Sequence, residues 1–279
     1  MNRRLRLTFV AALTLLACFR LAATVSAQSK LNGCAICHAT LPQSDLAAPV
    51  KAVSGDVHEK NGIRCVDCHG GNAATGEKAR AHDPEKGYRR EPSGATICAR
   101  CHAAFAERFA TSSHAPLFSC VECHGNHGVK LPSDSLLGTS RDATCANCHS
   151  GADDPGFVAA STMRTSIDRL RQAIDASGNL LARVRNAGME VGDQGLELNE
   201  ARSKLILARM EIHASSPARL DPIVADGMKL TTGIDRAGQQ AIAELAFRRR
   251  GLFVSLGLIL LFVVALTLKI RALDRRRRS

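Results

Sequence analysis

"CVECHGNHG", residues 120–128, places two cysteines and two histidines within nine positions. Cys120, Cys123 and His124 form C-x-x-C-H, and the same pattern stands at CAICH (34–38), CVDCH (65–69), CARCH (98–102) and CANCH (145–149). The five copies use ten of the chain's 11 cysteines and leave over Cys18. In c-type haem attachment two thiols form thioethers to the porphyrin vinyl groups and the adjacent histidine becomes the proximal iron ligand, which accounts for every fixed position of the pattern. A zinc ribbon also uses C-x-x-C pairs, but it has no need of a histidine directly after the second cysteine, and a disulfide framework leaves the histidines unexplained. The cofactors implied are five covalently attached haem c groups. Cys34, Cys37, Cys65, Cys68, Cys98, Cys101, Cys120, Cys123, Cys145 and Cys148 would hold them, with His38, His69, His102, His124 and His149 as proximal ligands.

His127 belongs to no motif. Ten histidines less the five of the motifs leave His58, His82, His114, His127 and His213. Five irons with five spare imidazoles predict six-coordinate bis-histidine centres, which suit electron transfer and not substrate binding. His127 stands three positions after His124, too short a peptide to carry a ligand round the macrocycle edge to the opposite face. His127 is therefore expected to ligate a neighbouring haem. His58 and His114, seven and six residues before their nearest motifs, are expected to do the same. His213 lies 64 residues beyond the last motif. It is expected to be the distal ligand of one haem, the last being suggested, because a returning helix brings "ARMEIH" (208–213) back toward the haems. Tyr88, the sole tyrosine, reads as structural.

The first 27 residues read as a secretory signal: MNRRLR is a basic start, LTFVAALTLLA an apolar stretch too short to span, and VSA at 25–27 a small-residue cleavage site. Leu-Leu-Ala-Cys at 15–18 is a looser lipid-attachment alternative. Near the other end, GLFVSLGLILLFVVALTL (251–268) is 18 residues without a charge, about 27 Å of helix and long enough for a bilayer core. Lys269, Arg271 and Arg275–Arg278 follow it, against Arg248–Arg250 before it. The heavier basic flank predicts a cytoplasmic C-terminus with the rest outside.

This placement disposes of the formal charge of +11. Without the four basic residues of the leader and the six basic residues and one acid of the tail, 27 basic residues face 25 acidic ones. With no basic face left, nucleic acid is not an expected partner.

The expected fold is a multihaem cytochrome c domain, mostly loops and short helices wrapped around haems, plus an all-α helical stalk and a C-terminal transmembrane helix. The segments are 1–27 signal, 28–156 pentahaem domain, 157–250 stalk, 251–268 span and 269–279 basic cytoplasmic tail. Residues 28–156 carry few large apolar side chains, so the haems themselves would supply the core. The motif histidines lie 31, 33, 22 and 25 residues apart, intervals too unequal for a structural repeat. From Phe157 the composition turns to helix formers. Ile167, Leu170, Ile174, Leu180, Leu181 and Val184 mark a first helix, weakened at Gly178, and Gly188 and Gly192 mark a turn. A second helix is expected over about 194–213, and Asp221 and Pro222 form a cap and first-turn pair for a third.

"HEKNGIRCVDCHGG" (58–71) and "HAPLFSCVECHGNHG" (114–128) resemble the multihaem cytochrome c family related to cytochromes c3 and c7, over residues 34–149. The resemblance implies periplasmic, bis-histidine, low-potential electron transfer with haems in close contact. In layout the chain is also similar to membrane-anchored quinol dehydrogenases of nitrate and nitrite respiration, which carry an N-terminal anchor and normally four haems. The expected protein is a carrier anchored in a bacterial inner membrane. Its partners would be inner-membrane respiratory or quinol-oxidising subunits and periplasmic electron acceptors. The alternatives are a quinol dehydrogenase, with Glu244 as the candidate proton acceptor, and a catalytic oxyanion reductase. The latter needs an open iron position that five distal histidines would fill.

Overall fold

The computed structural model describes residues 32–90 and 94–278; the leader, Cys18 and Gln28 lie outside them. The described residues form helices and turns, with no strand among them. Short helices α1 (Gly33–His38), α2 (Ser44–Val53), α3 (Val57–Lys60), α4 (Cys65–His69), α5 (Lys78–Ala81), α6 (Gly94–Ala99), α7 (Ala103–Ala110) and α8 (Cys120–His124) precede three long ones. These are α9 (Pro155–Asn186), α10 (Gly192–Glu211) and α11 (Pro217–Arg278). The chain divides into two compact units, one made of the described residues up to Ala103 with Leu117–Pro132, the other of Ala104–Pro116 with the described residues from Ser133 onward.

The first unit has no apolar core of its own. Asp56 is the one buried side chain among its described residues. So small a segment, with four C-x-x-C-H motifs and no buried aliphatic cluster, needs another source of apolar contact to stay folded.

The second unit is built on an ordinary helical core. Asp154 caps α9 by accepting the Gly156 N–H, with Pro155 in the first turn. Ile167, Leu170 and Ile174 of α9 meet Leu198, Ala201 and Leu205 of α10 and Leu220, Val224 and Ile234 of α11, all buried. Each large aliphatic among them contributes about 1.5–3 kcal/mol by leaving water. Gly227 and Gly238 stand where an added Cβ would come within 2.7 Å of Leu170 and Leu180, so the two glycines let α9 and α11 approach closely. Ser177, buried within the bundle, donates to Asp235 at 2.7 Å.

Two helix boundaries differ from expectation. Gly178 does not weaken α9, because a single mid-helix glycine costs only about 1 kcal/mol and the packed stripe on both sides outweighs it. The third helix opens at Pro217, not at Asp221. The Ser216 carbonyl accepts the Arg219 and Leu220 N–H groups, and Pro222 lies inside the helix. From there α11 continues for 62 residues, about 93 Å. Its apolar run, with Phe253, Leu260 and Phe262 exposed, is the one helix among the described residues long and apolar enough to cross a membrane.

Candidate haem-binding site

The motifs are shaped by their own sequence. In CVDCH and CVECH the residue before the second cysteine is acidic and turns back to cap its helix. Asp67 accepts the Arg64 N–H at 2.7 Å, and Glu122 accepts the Ser119 N–H at 2.6 Å and hydroxyl at 2.8 Å. The Ser119 bonds hold the Glu122 carboxyl below its usual range. Gly70 and Gly125 close the same two helices with φ of 68° and 75°, the left-handed region that favours glycine. At Gly70 a Cβ would also strike the Gly87 carbonyl at 2.2 Å. The third motif leaves α6 after its first cysteine, and the fifth begins in a 3₁₀ turn at Thr144–Asn147.

Among the described residues, histidine rings face one another in pairs. His38 lies 6.0 Å from His82 between centroids, His58 6.1 Å from His102, His69 5.9 Å from His127, and His114 6.0 Å from His149. Each pair joins a motif histidine to one outside the motifs. With a metal–nitrogen bond of about 2.0 Å and a centroid about 1.1 Å behind each ligating nitrogen, two imidazoles on opposite sides of one metal have centroids about 6.2 Å apart. The residues present therefore fit a haem iron between each pair. His127 faces His69, not its neighbour His124; His58 reaches past CVDCH to His102, and His114 past CVECH to His149. The last motif's histidine, His149, faces His114. The four pairs involve eight of the ten described histidines, and His124 and His213 are the other two. Phe105 stacks edge-on to His213 at 5.1 Å, and burial lowers the His213 pKa.

The second ring nitrogens of most of these histidines have hydrogen-bond acceptors. Nδ1–H donates to the carbonyl of Leu46 from His38 (3.3 Å), of Arg89 from His69 (3.0 Å), of Lys78 from His82 (2.8 Å) and of Met210 from His213 (3.0 Å). His58 donates to Asp56 at 3.0 Å and His149 to Asp154 at 2.9 Å, while His114 Nδ1 shares a bond with the Ser215 hydroxyl at 2.9 Å. An acceptor on Nδ1 fixes the tautomer that leaves Nε2 with its lone pair for a metal. Tyr88 packs edge-on against His82 at 4.6 Å, a supporting role as expected.

In the second unit, the segment carrying His114 is clamped. Glu211 accepts a hydrogen bond from Arg108 at 2.9 Å and forms an ion pair with Arg219 at 2.6 Å, and Arg219 also donates to Thr111. Ser215 is the one non-glycine with positive φ, 53°, among the described residues, a strained conformation that coincides with the hydroxyl meeting His114. Cys145 packs against the bundle core.

The ten described cysteines are all free of disulfides. Burial first, and then the hydrogen-bonded neighbour Cys120, push the Cys98 thiol up to about 11. Burial and then Cys65 likewise raise Cys34, so attachment sulfurs of different motifs lie close together. Among the described residues no group of three or more His, Cys, Asp or Glu side chains is placed to hold a metal ion. Paired imidazoles suffice when a macrocycle supplies the remaining ligands.

Sequence reasoning missed the groups behind the histidines: Asp56, Asp154 and Ser215. For Asp154 a signal existed, since Asp-Pro before an apolar-periodic run is a helix start. For Asp56 the only cue was a carboxylate two residues before His58.

No curated protein and no solved structure matches the chain. Residues 57–150 match the family described as cytochrome c3, a stretch that holds four of the five motifs together with His58, His82, His114 and His127. Over that stretch the chain is similar to cytochrome c3, a likeness that, together with the paired histidines, supports a multihaem c-type cytochrome with covalently bound haem and electron transfer.

Proposed function

We propose that the protein is a membrane-anchored electron carrier in which five bis-histidine haems pass single electrons between membrane respiratory partners and periplasmic acceptors. Reversible one-electron chemistry at iron is what the haems supply; the chain holds, spaces and insulates them. The reading rests chiefly on the four histidine pairs at 5.9–6.1 Å, which would leave no open position at those irons. His213 is proposed as a distal ligand on the count of ten imidazoles for five irons.

The apolar run of α11 would be the anchor, with the haem-bearing part outside a bacterial inner membrane and the basic tail inside. Length along α11 favours a carrier over a quinol dehydrogenase. Pro217, two residues after the Ser215 that meets His114, stands 34 residues before Gly251, about 51 Å of helix. Glu244, the candidate quinol base, lies at the far end of that span and is already paired with Arg248. Quinol at the membrane surface would then need a partner subunit to reach the centre at His114 and His149.

Stopped-flow reduction of the purified full-length protein tests this. A soluble quinol alone should leave the haems oxidised over seconds, and membranes containing the partner should reduce them quickly. Direct reduction by quinol would instead make the protein a quinol dehydrogenase, and consumption of nitrite by the reduced protein would make it a reductase.

A further inference from the structure

Asp56 belongs to no motif, yet it is the one buried side chain among the described residues of its unit, at 3 % exposure. Its Oδ1 accepts the backbone N–H of His58 at 2.7 Å and the ring Nδ1–H of His58 at 3.0 Å, and its Oδ2 accepts the backbone N–H of Val129 at 2.8 Å. The two backbone groups can only donate, and with Nε2 turned to a metal the ring Nδ1 carries the proton and donates too, so a carboxyl proton would have no partner there. The geometry is that of a carboxylate.

Such a charge acts on a metal through the ring between them. It draws the Nδ1 proton, makes Nε2 a stronger donor, and favours the more positive oxidation state behind it. Low dielectric strengthens both effects. Several other rings have neutral acceptors. His38, His69 and His82 bond to neutral carbonyls and His114 to a hydroxyl. His149 bonds to Asp154, but that side chain is 26 % exposed against 5 % for Asp56, so water screens its charge more.

We propose that Asp56 sets the reduction potential of the haem held between His58 and His102, making it the lowest-potential centre of the four that the histidine pairs hold. This rests on the reading of those histidines as axial ligands. Asp56 is a positioning residue: in each transfer one electron arrives from a neighbouring haem and leaves to the next, while no bond breaks and no proton moves at the carboxylate. The Val129 bond extends the same grip to the backbone two residues past His127, so this centre and the one at His69 and His127 share a support.

The test is Asp56→Asn in the full-length, haem-loaded protein, because asparagine keeps an oxygen for His58 and removes the charge. Potentiometric titration followed by haem absorbance should show about one fifth of the signal moved to higher potential, with the bis-imidazole low-spin signature retained. Asp154→Asn should move a different fifth by less. A curve superimposable on that of the unmodified protein overturns the proposal. If Asp56→Asn does not mature, titration of the unmodified protein followed by magnetic resonance decides: among the four centres, the one at His58 and His102 must be the last reduced, and any other order overturns the proposal. His58→Met separates the two levels. An unchanged ligation spectrum there defeats the ligand reading itself, whereas a changed spectrum beside an unmoved potential in Asp56→Asn defeats only the role of Asp56.

Discussion

Gly156→Ala should detach one haem iron from its ligand although nothing about the helix objects to alanine. A Cβ at 156 would lie 2.0 Å from Cε1, 2.1 Å from Nδ1 and 2.6 Å from Nε2 of His149. Ordinary carbon contact needs about 3.5 Å, so the ring must retreat by about 1.5 Å. It has no room to do so: Asp154 holds Nδ1 at 2.9 Å, and a metal–nitrogen bond of about 2.0 Å tolerates far smaller changes. Alanine in place of glycine gains at most about 1 kcal/mol of helix propensity. Against that stand about 1–3 kcal/mol for overpacking and about 1.5–3 kcal/mol for losing the charged hydrogen bond. The clash wins. Electron paramagnetic resonance of the oxidised variant should show about one fifth of the low-spin signal replaced by a high-spin or altered one, with five haems still attached. Gly195→Ala is the control, since a Cβ there meets nothing within 4 Å and should leave the spectrum alone while stabilising α10 by about 0.5–1 kcal/mol. An unaltered low-spin spectrum in Gly156→Ala would refute the placement of His149 as an axial ligand.

Denatured whole-protein mass spectrometry of the matured chain should give the mass of five haems, and fewer haems or bound zinc would defeat the cofactor count. His213→Met should change the ligation of about one haem in five; spectra identical to the unmodified protein would make His213 a bystander. Protease added outside spheroplasts should digest the haem region and spare a tag placed after Ser279, whereas cleavage of the tag would reverse the proposed orientation. Leu220→Ala, at a position buried completely in the bundle, should cost about 2–5 kcal/mol in chemical unfolding of the helical unit, and a loss below about 1 kcal/mol would mean that α11 is not packed as described.

What could be read in the sequence was whatever local chemistry decides. C-x-x-C-H names its cofactor, and the stripe Ile167, Leu170, Ile174 is a helix face because those residues are three and four apart. Which ring faces which was not legible. His38 meets His82, 44 residues on, in a unit whose folding depends on long-range backbone bonds such as Gly33 N–H to Ala73 and Val57 N–H to Val129. No periodicity announces such ties. Peptide length turned attention away from His124, since only two residues lie between it and His127, and the ring of His127 lies on His69. The start of α11 was misplaced because Asp221–Pro222 satisfies the capping rule as well as Ser216–Pro217 does; the choice falls to the packing of Leu220, which is buried one turn after Ser216 and directly before Asp221.

The measurement closest to the central claim is the electron paramagnetic resonance spectrum of the fully oxidised, full-length protein as isolated from membranes. Paired imidazoles at every iron predict low-spin ferric signals alone, integrating to five spins per chain. A stoichiometric high-spin ferric signal, or one from a thioether-ligated iron, would contradict the pairing of motif and non-motif histidines on which the proposed electron carrier depends.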